Sequence, residues 1–305
     1  MSREPYHVLD PLFARLPYPY SPRFELGTFA GVTQLKMARL YRNHEIMGVF
    51  CYVVGDTLID TGLACYGDEL RQTVRDLGIR RAVLTHHHED HAGNAAALRA
   101  VGVEVLSSGP CAEVLRHDLP IRFYEHLVWG KMPAAHVEPL ATTVRMGRHE
   151  AQVIPAPGHC HDQVVFHVPE EGWLFSGDAF IHERVKIFRR DEDFAATLRT
   201  LSHLTTLDFD VLLCAHRPRA SGGKAALVAK LGYLREIEEK VRHLDAQGRG
   251  PAEIAHSLGL DMARPTAKFF TWLTVGDATA ENVVRSILSG PRHRPEIARL
   301  LPANL

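Results

Sequence analysis

The sequence predicts an α/β fold in which two sheets pack together with helices outside, followed by a small helical domain. Three observations carry this expectation. Residues 48–106 alternate strand-like and helix-like patterns, and residues 136–214 then run through a second series of strands closed by one helix. Beyond about Ser221 the strand patterns stop and amphipathic helical patterns take over. Because the second half repeats the strand-then-helix logic of the first, two packed sheets suit the pattern better than one parallel sheet.

The elements follow in order. Residues 1–27 hold Pro5, Pro11, Pro17, Pro19 and Pro22 with little periodicity, and are expected to form an extended arm. Between Gly48 and Asp60, the run Val-Phe-Cys-Tyr-Val-Val and the run Thr-Leu-Ile-Asp read as a β-hairpin closed by Gly55-Asp56, and Gly62 marks a turn. Asp68 to Leu77 places Leu70, Val74 and Leu77 on one helical face, with Gly78 just past its end. A strand is expected at 81–85, a helix at about 92–100 and a strand at 103–106. Residues 110–133 read as one or two helices rich in large apolar groups, including Tyr124 and Trp129, which either fill the core or cover a substrate. Strands are expected at Thr143–Met146, Ala151–Ile154, Gln163–Val168 and Gly172–Ser176, a helix at 192–207 and a strand at 210–214. Leu231, Leu234, Ile237, Val241 and Leu244 then stripe a long helix, which packs within the chain or across a homodimer. Pro251 opens a second helix closed by Gly259, and Ala280–Leu288 makes a third. The expected organisation is an arm (1–27), a catalytic domain (28–220) and a helical C-terminal domain (221–305).

Bulk properties narrow the function. A 305-residue chain with a formal net charge of −1 offers no overall electrostatic case for nucleic acid or a membrane surface. Five cysteines without CxxC spacing favour reduced thiols over a disulfide framework. The opening MSREPYHVLDPLFARL lacks the charged-then-apolar layout of a signal peptide, and no run reaches membrane-spanning length, so a cytoplasmic protein is expected. Nineteen histidines lower the weight of any single one, so only histidines in a geometric pattern count as ligands.

That pattern exists. Thr85-His86-His87-His88-Glu89-Asp90-His91-Ala92-Gly93-Asn94 lies between a buried strand and a helix, where the backbone can aim several ligands at one point. Three later stretches each end a strand on one strong ligand: Pro157-Gly158-His159, Ser176-Gly177-Asp178 and Cys214-Ala215-His216. Five imidazoles (His86, His88, His91, His159, His216) and two carboxylates (Asp90, Asp178) exceed the needs of one tetrahedral zinc. They suit two metals sharing a bridging carboxylate.

HxHxDH followed in order by PGH, SGD and AH strand ends, with Leu58-Ile59-Asp60-Thr61-Gly62 ahead of them, resembles the metallo-β-lactamase fold superfamily over roughly residues 28–220. The resemblance implies a four-layer αββα sandwich and two divalent ions, zinc first, with iron or manganese as alternatives. It implies that His86, His88 and His159 bind one ion and Asp90, His91 and His216 the other, with Asp178 bridging and Asp60 orienting ligands. The chain departs from the usual pattern where Cys160-His161-Asp162 follows PGH, and where Cys214-Ala215-His216 replaces a PGH; neither change removes a ligand. His87, His182 and His203 fall outside the set.

The implied chemistry is hydrolysis. Two ions can lower the pKa of a shared water from ~15.7 towards ~7, and the resemblance makes Asp90 the residue that orients the attacking hydroxide. A small anionic ester or thioester is the expected substrate, because Arg184, Lys186, Arg189 and Arg190 follow Asp178 closely; His182, Arg184, Lys186, Tyr124 and Trp129 are the candidate substrate contacts. A solvated loop balanced by Glu183 and Asp191 is the plain alternative for the basic run. The helical extension resembles that of glyoxalase II-type and quinolone-response thioesterases and of lactamase-like endoribonucleases. A phosphodiesterase or ribonuclease with the same metal site, and an iron-dependent sulfur dioxygenase, are therefore the competing functions. Residues 221–305 hold twelve Lys/Arg against nine Asp/Glu, which gives thin support for a nucleic-acid partner.

Overall fold

The structure is a computed structural model that describes residues 21–41, 44–119, 129–185, 187–260 and 277–290. The proposed arm lies outside the described residues up to position 20, and its remainder is not an arm. Residues 21–27 belong to strand β1 (Ser21–Phe29), which pairs along its whole length with β2 (Val32–Tyr41).

The chain divides into two compact units, and the division is not a single cut near residue 220. The first unit comprises Met1–Pro155, Asp162–Asp178 and Phe209–Gly223, and the second comprises Ala156–His161, Ala179–Asp208 and Lys224–Leu305.

In the first unit, β1 and β2 continue into β3 (His44–Val54), β4 (Thr57–Ile59), β5 (Arg81–Val83), β6 (Glu104–Ser107) and β7 (Glu138–Pro139), side by side in chain order. Pairing is antiparallel from β1 to β4 and parallel from β4 to β7. The connections decide this. Short turns at Gly31 and Gly55-Asp56 return the chain antiparallel. The parallel strands are joined through helices: α1 (Gly67–Asp76), then α2 (Glu89–Ala92) with α3 (Ala95–Arg99), then α4 (Gly109–Leu115). The single helix expected at about 92–100 is therefore two short ones. Of the helical stretch expected at 110–133, α4 is present, capped by Ser108, whose hydroxyl accepts from the Cys111 N–H at 3.2 Å. Residues 120–128 and Tyr124 lie outside the described residues.

A second sheet runs β13-β11-β10-β9-β8, built from β8 (Thr143–Met146), β9 (His149–Pro155), β10 (Val164–Val168), β11 (Trp173–Gly177) and β13 (Val211–Cys214). It is antiparallel except for the β11–β13 pair. The alternation of side chains along each strand sends one face of each sheet into a common core. Tyr52, Val54, Ile59 and Val83 of the first sheet meet Val144, Met146, Val164, Phe166, Phe175 and Leu213 of the second. The expected α/β sandwich of two sheets is present, and the four strands named at 143–176 all form.

In the second unit, α5 (Phe194–Leu204) is capped by Asp193, whose carboxylate accepts from the Ala196 N–H at 2.8 Å. The stripe helix is α6 (Gly223–Ala246), with Leu231, Leu234, Ile237 and Val241 buried. Helices α7 (Pro251–Ser257) and α8 (Ala280–Ser289) follow as expected. Strands do not stop at Ser221, however. β12 (Phe188–Arg189) pairs antiparallel with β14 (Ala278–Thr279), a strand too short to leave a periodic signal. No helix among the described residues is long and apolar enough to cross a membrane.

Candidate metal centre

One parallel pair in each sheet carries the candidate residues at its ends. β4 and β5 run parallel and end on Asp60 and on the turn that starts at Thr85; β11 and β13 run parallel and end on Asp178 and just before His216. The carboxyl ends of parallel strands open a crevice that positions ligands. Two backbone hydrogen bonds stitch the sheets together beside that crevice, Val164 N–H to Thr85 C=O at 2.8 Å and Phe50 N–H to Ala215 C=O at 2.7 Å. The Tyr52 hydroxyl donates to the Cys214 carbonyl at 2.7 Å and holds the end of β13 from inside the core.

Asp60 organises the ring orientations. Its backbone has a φ of 61°, in the left-handed region that costs most side chains energy and that Asp tolerates better than most. Its carboxylate accepts the Thr85 N–H at 2.7 Å, the Thr85 hydroxyl at 2.9 Å and the His91 Nδ1–H at 2.8 Å. The Thr85 hydroxyl spends its only proton on Asp60, so at 3.0 Å it accepts from His86 Nδ1–H. The Gly48 carbonyl accepts from His216 Nδ1–H at 2.9 Å. In three rings the proton is thus placed on Nδ1, and Nε2 is left with its lone pair.

The lone pairs of His91 and His216 face negative charge. His91 Nε2 lies 3.4 Å from Asp178 Oδ1 and 3.7 Å from Asp90 Oδ1, and His216 Nε2 lies 3.3 Å from Asp178 Oδ1 and 3.5 Å from Asp90 Oδ2. His86 Nε2 and His88 Nδ1 are 3.0 Å apart. Lone pairs and carboxylates at these distances repel unless a positive charge lies among them. Two atoms bonded to one tetrahedral zinc at about 2.0–2.1 Å are about 3.3 Å from each other, which is the spacing seen here. Two triplets within the first unit could each hold a cation: His86, His91 and Asp178, and Asp90, His91 and His216. The donor set fits divalent metal.

The electrostatics agree. Burial alone would pull the His91 and His216 imidazoles down, but the neighbouring Asp178 and Asp90 carboxylates hold His91 well above its ordinary value and push His216 up to about 10. Burial likewise would raise Asp178, yet His216 and His91 hold it well below the usual carboxylate range. Protons on the rings stand in for the charge that a cation would bring.

The remaining sequence-derived candidates sit as follows. His159 lies in the second unit, nearly buried, with Nδ1 facing Glu192 Oε2 at 3.6 Å. His182 Nδ1 accepts from the Arg184 N–H at 3.0 Å, and Arg184 is exposed. Arg189 is engaged by Asp191 and Asp277, each at 3.6 Å, which takes it out of the supply of cations for an anionic substrate. Trp129 is buried; Lys186 lies outside the described residues.

Several residues escaped sequence reasoning. His87, left outside the ligand set, is clamped by Asp162, which accepts from its Nδ1–H at 2.8 Å and its backbone N–H at 3.0 Å. Glu89, in the same turn, is buried. Asn94 donates from its amide to the Thr61 and Leu63 carbonyls at 2.7 and 2.8 Å, fixing the far side of the turn. Lys230 on α6 is buried with its ammonium on the Ala179 and Phe180 carbonyls at 2.8 and 2.6 Å. His87, Glu89 and Asn94 carried a signal, through their place in the histidine-rich turn; Lys230 carried none.

The site agrees with what the chain is similar to. A family model described as the metallo-beta-lactamase superfamily matches residues 46–216. A hydroxyacylglutathione hydrolase of Rhodobacter capsulatus is 29% identical over 222 residues, 70% of this chain and 80% of that protein. The thioesterase pkgB of Emericella nidulans is 26% identical over 168 residues, 52% of this chain and 44% of that protein, so the chain spans less than half of it. Among solved structures, a metallo-beta-lactamase from Pontibacter korlensis superposes with a TM-score of 0.50 at 19% identity, covering 70% of this chain and 99% of that one, which speaks to the fold alone.

Proposed function

The chain belongs to the metallo-β-lactamase superfamily and is a hydrolase, and from that premise we propose a dinuclear, zinc-dependent hydrolase of a small anionic thioester or ester. The observation that carries this reading is the set of His91 and His216 Nε2 atoms held 3.3–3.7 Å from the Asp178 and Asp90 oxygens, with each Nδ1 already committed elsewhere. His86, His88 and His159 would hold one ion and Asp90, His91 and His216 the other, with Asp178 between them. When bound, the pair of ions would supply Lewis acidity and a water made acidic near neutral pH.

The chain's own residues do the rest. Asp60 keeps His91 in the tautomer that presents Nε2, and Thr85 does the same for His86. Asp90 offers carboxylate oxygens beside both Nε2 atoms, where they can accept a proton from the attacking water and hold its lone pair towards the substrate. Thioester is preferred because the hydroxyacylglutathione hydrolase, named for a substrate whose acyl group sits on sulfur, matches over most of its own length, and a second relative is named a thioesterase. An anionic substrate is preferred because Arg184 is exposed in the segment after Asp178.

Asp90→Ala tests the assignment. Turnover on a thioester panel should fall by at least about 100-fold, the usual contribution of a positioned acid–base group. Turnover equal to wild type would sink the role given to Asp90.

A further inference from the structure

Three of the rings discussed above owe their orientation to a fixed acceptor at Nδ1: His91 to Asp60, His86 to Thr85 and His216 to the Gly48 carbonyl. His159 has a candidate of its own in the second unit. Glu192 Oε2 faces His159 Nδ1 at 3.6 Å, longer than the Asp60–His91 hydrogen bond and within the range of electrostatic pairing. The Glu192 side chain is 13% exposed, so its charge is poorly screened.

Glu192 is itself held from several sides. Its Oε1 accepts the Arg189 N–H at 2.9 Å, and its carbonyl accepts the Ser286 hydroxyl of α8 at 2.9 Å. That hydroxyl in turn accepts the Phe194 N–H at 3.0 Å, so one serine of the C-terminal helix ties together the start of α5 and the backbone of Glu192. The loop bearing His159 is fastened to the same place. Asp193 N–H donates to the Gly158 carbonyl at 2.8 Å, and the Thr200 hydroxyl donates to the Pro157 carbonyl at 2.6 Å. Gly158 has a φ of 143°, and a Cβ there would lie 2.7 Å from the Thr197 backbone nitrogen, so the loop and α5 are in the closest contact that glycine permits.

We propose that Glu192 is the positioning residue of His159, favouring the proton on Nδ1 so that Nε2 presents its lone pair to an ion, and that α8 sets the position of Glu192 through Ser286. The C-terminal helical segment then tunes the affinity of one of the two ions and leaves the other alone. This rests on the reading above in which His159 is a ligand. Neither residue has a spacing signature in the sequence, since they are ninety-four positions apart.

Full-length wild type, His159→Ala, Glu192→Gln and Ser286→Ala are compared by zinc competition against a chromophoric chelator, with the visible spectrum of the cobalt-substituted protein and the thermal midpoint recorded alongside. Glu192→Gln keeps the size of the side chain and an acceptor for the Arg189 N–H while removing the charge. It should weaken one ion by about 10–100-fold, the usual effect of losing such a partner, and leave the second at wild-type affinity. The ion weakened should be the one lost in His159→Ala, with the same cobalt band altered, and Ser286→Ala should weaken it to a smaller degree. Wild-type affinity for both ions in Glu192→Gln, with one ion lost in His159→Ala, would overturn the proposal while leaving the ligand assignment standing. An equal weakening of both ions together with a lower thermal midpoint would also overturn it, since that marks a merely structural role. Both ions retained at wild-type affinity in His159→Ala would instead overturn the ligand assignment, and the proposal with it.

Discussion

Asp60 binds nothing that reacts, yet its carboxylate decides which nitrogen of His91 is available and, through Thr85, which nitrogen of His86. Replacing it by alanine should leave the fold in place and weaken the ion held by His91 by about 10–100-fold, measured by chelator competition. An unchanged affinity would show that the ring is held by packing alone. The candidate ligands were legible in the sequence because each ends a strand in a short polar word, such as Ser176-Gly177-Asp178 after Leu174 and Phe175. Of their supports, Asp60 was legible through the motif at residues 58–62 and the others were not. Thr85, Asp162, Glu192 and Ser286 act through contacts that span up to ninety-four positions, and nothing local distinguishes such a threonine or serine from any other. His87 and Glu89 looked dispensable for the opposite reason: their neighbours supplied a stronger pattern, and burial is invisible to spacing.

At the scale of elements, the site depends on strands that end in tight backbone. Gly177 has a φ of 46°, and a Cβ there would lie 2.9 Å from both Cβ and Oγ1 of Thr85. Gly177→Ala should therefore cost about 3 kcal/mol, from the unfavourable φ and the overlap together, read by chemical denaturation. It should also weaken metal binding, because the displaced Thr85 hydroxyl is the one that links Asp60 to His86; a variant as stable as wild type would contradict the account. The hairpin β3–β4, the strands of the second sheet and the three later helices were all visible as periodicity. β1 and β2 were not, for physical reasons. β1 is an edge strand that leaves Leu26 54% exposed, and the inward face of β2 carries a buried Arg39 beside Leu35 and Met37, so neither strand shows the apolar alternation that marks a strand. β12 and β14, of two residues each, are below the length at which a period exists.

For the whole molecule, the sequence motifs define a metal-dependent hydrolase more sharply than they define its substrate. The basic run after Asp178 promised four cations for an anionic group, but Arg189 is taken by Asp191 and Asp277, so the anion must be met by fewer charges than composition suggested. In the proposed function, catalysis needs both ions. The most direct measurement is thioester turnover as the metal-free protein is titrated with zinc, with bis(p-nitrophenyl) phosphate as the comparison substrate. Thioester turnover should rise to a plateau at two equivalents, with the phosphodiester cleaved far more slowly. Full thioester turnover with one ion or none, or no thioester turnover with two bound, would contradict it.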